Sequence, residues 1–147
     1  MAVEDTHLGR LLQEAQRTLS EELIQDMSER GYQDVKAGHA AVFMNIDRRA
    51  GTRLTELARR ARMTKQGMML VVDELEERGY VRRVPDPEDG RAKVVKLTAR
   101  GRRCVAEGRR VVQAVESRTR RLLGDRRYEA LRSSLGTLIG AEEELTE

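Results

Sequence analysis

Apolar residues repeat with the period of a helix over most of the chain. Three long stripes occupy residues 8–27, 105–123 and 128–145, and they predict one helix near the N-terminus and two helices after residue 100. Gly31 and Gly124 follow the first two stripes, as glycine commonly does where a helix ends. Long helices therefore flank a central segment whose pattern is different.

Two shorter helices are predicted in that central segment. The first spans residues 54–61, where an apolar stripe lies on one side and arginines lie on the other. After a three-residue turn, Thr64 can cap a second helix that runs to Arg78 and stops at Gly79. The outward positions of this second helix are Lys65, Gln66, Met69, Leu70 and Asp73.

A β-hairpin is predicted directly after the second helix. Residues 80–84 and 94–97 are β-branched and apolar runs of strand length, and Pro-Asp-Pro-Glu-Asp-Gly at 85–90 contains nearly every residue type that forms turns. Helix, turn, helix and hairpin is the order of a winged helix-turn-helix, which presents its second helix to a DNA major groove. The predicted fold class is mainly α (α+β), a winged helix-turn-helix with flanking N- and C-terminal dimerisation helices.

The hairpin and the end of the second helix carry a sequence signature. Residues 86–101 combine two acids, an arginine, an apolar strand and Leu-Thr-x-x-Gly, and residues 75–83 read LEERGYVRR. At these positions the chain resembles the MarR family of bacterial transcriptional regulators, and the resemblance covers nearly the whole sequence. Two features depart from the family pattern. Gly90 stands where another arginine is frequent, and Met69 with Leu70 replaces a more usual polar pair.

The resemblance implies a homodimeric, sequence-specific regulator of transcription that binds double-stranded DNA, a ligand-responsive repressor rather than an enzyme. Residues 1–147 would form a single domain, with the winged helix-turn-helix DNA-binding region at 37–98 and dimerisation helices at 5–30 and 102–146. The apolar faces of the terminal helices agree with a dimer, although they could also pack on their own winged helix as a monomer core. A symmetric dimer predicts an inverted-repeat operator.

The expected DNA contacts lie on the two central helices and on the hairpin. Lys65 and Gln66, at the leading turn of the second helix, are the first candidates for base edges or phosphates. Arg91 would reach into a minor groove from the wing, or would instead pair with Asp86 or Asp89 and only shape the loop. The full set of candidates is Arg59, Arg60, Arg62, Thr64, Lys65, Gln66, Met69, Leu70, Arg83, Arg91 and Lys93.

The resemblance further implies a small lipophilic or phenolic effector, bound between the dimer helices and the winged helix. His7, Leu11, His39 and Phe43 would line such a cleft, but the same residues also fit an ordinary core stripe. His39 is expected to cap or pack rather than to catalyse. No cofactor is expected.

Composition limits other classes of function. A net charge of +3, with arginines clustered around the two central helices, gives a local positive field, and 3% aromatic residues provide no platform for stacking single-stranded bases. No long apolar run or signal peptide is present, so we expect a cytoplasmic protein without membrane contact. Because Cys104 is alone, neither an internal disulfide nor a thiolate zinc site is possible, and a buried thiol is favoured over a redox sensor.

One feature favours a different class of function. The acids at positions 73, 74, 76 and 77 form an outer row on the second helix, and such a row would face phosphates unfavourably. The alternative is therefore a winged helix that serves as a protein-interaction or architectural module without operator specificity. An enzyme has less support, because no nucleophile elbow, phosphate loop or catalytic pairing of histidine and acid is present.

Overall fold

The computed structural model describes Val3 and residues 6–140. Residue 5 and residues 141–146 of the predicted dimerisation helices, including Leu145, lie outside the described residues. The chain divides into two compact units, residues 1–111 and residues 112–147. In the described ranges, no helix has both the length and the apolar character needed to cross a bilayer.

The order of elements agrees with the predicted winged helix-turn-helix. In chain order they are α1 (Leu8–Glu29), a 3₁₀ helix (Ala37–His39), α2 (Ala40–Phe43), β1 (Thr52–Arg53), α3 (Leu54–Arg60), α4 (Lys65–Glu77), β2 (Val81–Pro85), β3 (Lys93–Leu97), α5 (Ala99–Leu123) and α6 (Asp125–Leu138). The mainly α fold class is confirmed. Strand β1 was not predicted, because two residues are too few to show a strand period.

The small sheet is antiparallel and has the order β1-β3-β2. Strand β3 lies in the centre, where Val95 pairs with Thr52 on one side and with Arg83 on the other. Gly51 precedes β1 with a φ of +77°, and a Cβ atom there would lie 2.6 Å from the carbonyl oxygen of Val95. Glycine therefore permits β1 to approach β3 and to close one edge of the hairpin.

Helix α4 begins after the predicted cap at Thr64 and ends before the predicted stop at Gly79. The Thr64 hydroxyl accepts a hydrogen bond from the backbone N–H of Gly67 at 3.0 Å, and Gly79 beyond the last turn has a φ of +77°. Met68, Val72 and Leu75 form its buried face, and Val71 beside them is half-buried. On the side away from this core, Lys65, Gln66, Met69 and Leu70 are exposed.

Tyr80 joins the end of α4 to the sheet and to α5. Its side chain is fully buried, its hydroxyl donates to Asp34 Oδ1 at 2.6 Å, and its ring meets Phe43 edge-on at 5.9 Å between centroids. The Arg100 guanidinium lies 4.3 Å from the ring centroid and donates to the Tyr80 hydroxyl at 3.0 Å. One aromatic residue thus connects the loop after α1, the helix α2 and the first turn of α5.

The first turn of α5 lies directly against the backbone of Tyr80. Thr98 caps the helix by accepting from the Gly101 N–H, and its hydroxyl donates to the carbonyl oxygen of Gly79 at 2.6 Å. Further along, Cys104 is buried, and this burial raises the pKa of its thiol to about 12. The expected buried thiol is confirmed, and a thiol with a raised pKa is a poor redox sensor.

The second unit contains the C-terminal part of α5 and helix α6. Tyr128 is buried there, and the Arg120 guanidinium lies 4.4 Å from its ring centroid. Arg120 also forms ion pairs with Asp125 and Glu129 of α6. This unit is therefore held by one buried aromatic ring and by arginine contacts at its surface.

We predict opposite effects for alanine at two glycines of α5. A Cβ atom at Gly101 would lie 2.0 Å from the carbonyl oxygen of Tyr80, whereas a Cβ atom at Gly108 would meet no atom within 4 Å. Gly101→Ala should lower the free energy of unfolding by about 2 kcal/mol or more, because the helix must move away from Tyr80. Gly108→Ala should raise it by up to about 1 kcal/mol through helix propensity. Urea denaturation measures the free energy of unfolding of both variants. Equal changes in the two variants would contradict the close contact between Gly101 and Tyr80.

Candidate nucleic-acid interface

The outer face of α4 combines polar and apolar side chains. Lys65, Gln66, Met69 and Leu70 are all exposed, as predicted. The first turn of the helix contains no acidic residue, so the positive end of the helix dipole is not neutralised locally. Such a helix N-terminus favours an anion, and the phosphate of a nucleic acid is one.

The turn between α3 and α4 is held by Arg62. This residue has a φ of +53°, the left-handed conformation, and it is the one non-glycine residue with positive φ in the described part of the chain. The N–H of Met63 donates to the carbonyl oxygen of Ala58 at 2.9 Å, which closes the end of α3 as a glycine would. The Arg62 side chain is exposed, and no ion pair within the described residues holds it.

Arg59 and Arg60 share a single acid. Arg59 donates twice to the Glu56 carboxylate, at 2.8 and 2.7 Å, and Arg60 donates to Glu56 Oε1 at 2.8 Å. Hydrogen bonds from Arg59 and then from Arg60 lower the pKa of Glu56 to about 2. Two guanidinium groups and one carboxylate leave one net positive charge on the surface of α3.

The wing is fixed by an ion pair with β1. The Asp86 carboxylate is nearly buried and accepts from Arg53 at 2.6 Å. A hydrogen bond from the backbone of Glu88, and then the Arg53 guanidinium, hold the pKa of Asp86 below its usual range. Asp89 accepts from the backbone N–H of Arg91 at 3.1 Å.

The side chain of Arg91 has no acidic partner among the described residues. Asp86 is bound to Arg53, and the Asp89 carboxylate accepts from the backbone N–H of Arg91. The alternative of an ion pair within the hairpin is therefore not observed for this arginine. Lys93, at the start of β3, is likewise exposed and outside any ion pair in the described ranges.

Arg83 lies apart from these exposed cations. Its two terminal nitrogens donate to Glu76 at 2.8 Å and to Asp73 at 2.5 Å, and its backbone N–H donates to Glu76 at 2.8 Å. The side chain is only 22% exposed. Although Arg83 is a sequence candidate for DNA contact, the structure places it between β2 and the acids of α4.

Glu74 has basic partners at the start of the 3₁₀ helix, within that helix and at the end of α4. Lys36 donates to Glu74 Oε1 at 2.7 Å, Arg78 donates to the same oxygen at 2.6 Å, and His39 lies 2.9 Å from Oε2. The hydrogen bond from Lys36, and then that from His39, lowers the pKa of Glu74 to about 2. With Asp73 and Glu76 bound by Arg83, three of the four acids in the outer row of α4 have basic partners.

The candidate effector residues have different surroundings. His39 is buried, its Nδ1 accepts from the backbone N–H of Lys36 at 3.0 Å, and its capping role is confirmed. His7 is exposed and caps α1 by accepting from the Arg10 N–H at 3.2 Å. Leu11 is half-buried, and Phe43 packs on Tyr80. His39 and Phe43 thus have structural roles, and an effector cleft stays a prediction.

Comparison with known proteins shows similarity to one family of regulators. A sequence profile described as "MarR family" matches residues 33–92. The repressor CouR bound to a 23-mer DNA duplex has 28% sequence identity, a TM-score of 0.76, and coverage of 90% of this chain and 92% of that chain. The match to the MarR family thus covers residues 33–92, and the fold resembles that of CouR over most of the chain. This family comprises transcriptional regulators, which are not enzymes.

Rv2887 of Mycobacterium tuberculosis is another similar MarR-family protein. This HTH-type transcriptional repressor is 40% identical over 68 residues, which are 46% of this chain and 49% of the relative. The chain therefore spans about half the length of the curated relatives it matches. The crystal structure of Rv2887 in complex with salicylic acid has 28% identity, a TM-score of 0.67, and coverage of 93% of this chain and 99% of that chain.

Sequence reasoning missed the ion pairs that organise this MarR-type interface. The Arg53–Asp86 pair spans 33 residues, and the pairs of Arg83 depend on how the hairpin folds back on α4. Neither has a local signal, because both join elements that are separate in the predicted pattern. In the sequence, these ion pairs were indicated only by the nearly equal numbers of acids and arginines around the hairpin.

We predict a pH signature for Glu74. Its folded-state pKa of about 2 lies below the ordinary value near 4.5, so its contribution to stability is complete above pH 4.5 and is lost as the pH falls toward 2. Glu74→Gln should therefore flatten the fall in unfolding free energy across that interval, as measured by urea denaturation at stepped pH. Glu77→Gln, on the same helix but outside any ion pair in the described chain, is the matched control. Identical pH profiles for wild type and Glu74→Gln would contradict this assignment.

Proposed function

We propose that this protein is a homodimeric transcriptional repressor of the cytoplasm that binds an inverted-repeat operator in double-stranded DNA and is released by a small aromatic effector. Each α4 enters a major groove with its N-terminal turn leading, and each wing follows the adjacent minor groove. The likeness to CouR, whose structure contains a DNA duplex, supports this mode of binding.

One observation carries the proposal: three of the four acids in the outer row of α4 form ion pairs with bases of the same chain. Asp73 and Glu76 are bound to Arg83, and Glu74 is bound to Lys36 and Arg78. The outer row that argued against phosphate contact thus carries little net negative charge. This removes the main support for a protein-interaction module and leaves a helix that can approach DNA.

Exposed cations lie in the turn before α4, at its first residue and on the wing. Arg62, Lys65, Arg91 and Lys93 are exposed, and within the described residues none of them forms an ion pair. Cations without an acidic partner can neutralise phosphates and release counterions at little cost, since no existing pair must be broken. We therefore assign the phosphate contacts to these four residues first. Arg59 and Arg60 add a weaker field, because they share Glu56.

Separate observations support the proposed effector and the proposed dimer. Rv2887, which was crystallised with salicylic acid, supports an aromatic carboxylate as the effector class, with His7, Leu11, His39 and Phe43 as candidate neighbours. Dimerisation is supported by large apolar side chains that the chain leaves exposed on its long helices. Among them are Leu8 and Leu19 on α1, Val112 and Leu122 on α5, and Leu131 and Leu138 on α6.

Selection of bound sequences from a random duplex pool tests the function directly. Recovery of an inverted repeat with half-site centres about one helical turn apart would support a symmetric repressor. Light scattering at micromolar concentration should report twice the chain mass. Release of the recovered duplex by salicylate, with benzyl alcohol as an uncharged aromatic control, tests the effector class. A pool that yields no consensus would favour the protein-interaction or architectural alternative.

We predict that Arg91→Ala weakens DNA binding without changing base preference. Since Arg91 has no acidic partner to release, its guanidinium is free to contact the backbone or a narrow minor groove. The slope of log affinity against log salt should fall by about one. Titration of the selected and scrambled duplexes at several salt concentrations measures this slope. An unchanged slope would show that the wing arginine lies away from the DNA.

We predict a different result for Arg83, the half-buried arginine of the same hairpin. Arg83→Gln should weaken binding to both duplexes by roughly tenfold, because Asp73 and Glu76 are then left unneutralised beside the phosphates. Adding Asp73→Asn and Glu76→Gln should restore most of the affinity. If Arg83 contacts a phosphate directly, the result is the opposite: Arg83→Gln would still weaken DNA binding when Asp73→Asn and Glu76→Gln are also present. Arg91→Ala is the control, and its weaker DNA binding should persist when Asp73→Asn and Glu76→Gln are added.

A further inference from the structure

We infer that Met69 and Leu70 are specificity-determining residues that recognise the C5-methyl group of thymine in each operator half-site. This inference rests on the proposed function and adds the chemical group that the recognition helix recognises. It arises from this chain's own sequence, because the two apolar residues replace the more usual polar pair of the MarR family.

The two side chains are exposed although the helix has a complete core face. Leu70 is 65% exposed and Met69 is 40% exposed, whereas Met68 and Val72 on the inner face are fully buried. Met69 and Leu70 therefore contribute little to the packing of the helix against its own chain. Apolar surface left in water favours a partner that covers it.

The position of the pair on α4 points to DNA as that partner. Met69 and Leu70 lie one helical turn after Lys65 and Gln66, so the four side chains share one face. The preceding turn has a helix N-terminus without acids, and the following turn has Asp73 bound to Arg83. The apolar pair is thus bordered by positive or neutralised groups, which suits a polyanion better than an acidic protein surface.

The chemistry of the major groove then selects thymine. The edges of guanine, cytosine and adenine in that groove present hydrogen-bond donors and acceptors, and the C5-methyl group of thymine is the apolar feature there. Met69 and Leu70 carry no donor and no effective acceptor. Pressed against a G·C pair, they would bury base donors and acceptors without partners. Against thymine, they would instead cover a methyl group.

The probe for this inference is the highest-affinity duplex recovered from the random pool, synthesised with deoxyuridine in place of one thymine at a time. Deoxyuridine keeps every hydrogen-bonding group of thymine and lacks only the methyl group. Each half-site should contain one thymine whose replacement by deoxyuridine weakens wild-type binding about fourfold. This factor is the equivalent of about 0.8 kcal/mol for one buried methyl group. A duplex changed in both half-sites should lose roughly the square of that factor.

Variants of the exposed pair identify the residues involved. Leu70→Asn and Met69→Gln should bind the thymine and deoxyuridine duplexes equally, whereas Leu70→Met, which remains apolar, should keep the difference. Glu77→Gln lies in the last turn of the same helix and is the matched control, with an unchanged response. Circular dichroism should report wild-type folding for all four variants, since the substituted side chains are exposed.

The outcomes separate this inference from the proposed function. A specific duplex whose binding is unaffected by deoxyuridine at every position overturns methyl recognition and leaves the repressor proposal standing. A deoxyuridine effect that persists in both Leu70→Asn and Met69→Gln assigns the contact to other residues and also overturns the inference. Failure to recover any specific duplex overturns the proposed function, and the inference falls with it.

Discussion

Tyr80 and the groups bound to it fix the position of the recognition helix. The ring is buried between Phe43 and the Arg100 guanidinium, and the hydroxyl is bound by Asp34 and Arg100. Because Tyr80 lies between the end of α4 at Glu77 and the start of β2 at Val81, these contacts hold the connection from α4 to the hairpin in place. Gly101 is required at the same place, since α5 begins in contact with the Tyr80 carbonyl oxygen. The orientation of the DNA-binding elements is therefore decided within the core.

Electrostatic pairing decides where the unpaired positive charge lies on the surface. The sequence contains 28 basic and 25 acidic residues, which is a small excess spread over 147 positions. Folding joins many of these charges: Glu56 with Arg59 and Arg60, Glu74 with three bases, and Arg83 with Asp73 and Glu76. Cations without acidic partners then stand at the open end of α4 and on the wing. A modest total charge can thus produce a locally positive face.

The arginines of this protein divide into two groups with different physical roles. Arg53, Arg83 and Arg100 form short contacts with acids or carbonyl oxygens and position the wing, α4 and α5. Arg62 and Arg91 are exposed and have no acidic partner in the described residues. Both groups carry the same side chain, whose planar fork suits a carboxylate as well as a phosphate. The presence of a neighbouring acid in the folded chain therefore distinguishes a structural arginine from a candidate DNA contact.

Local patterns in the sequence determined the elements and their order. These patterns are local, because each one acts on residues only a few positions away, and their effects can be predicted without knowing the fold. They are the cap at Thr64, the stop at Gly79, the turn residues of the wing and the apolar stripes. The outward positions of α4 followed from the same helical period. The tertiary structure alone decided which charges meet: the Arg53–Asp86 pair, the Arg83 ion pairs and the Asp34–Tyr80–Arg100 contacts join residues 7 to 66 positions apart. No local period encodes such pairings, because they depend on how the hairpin and α5 pack against α4.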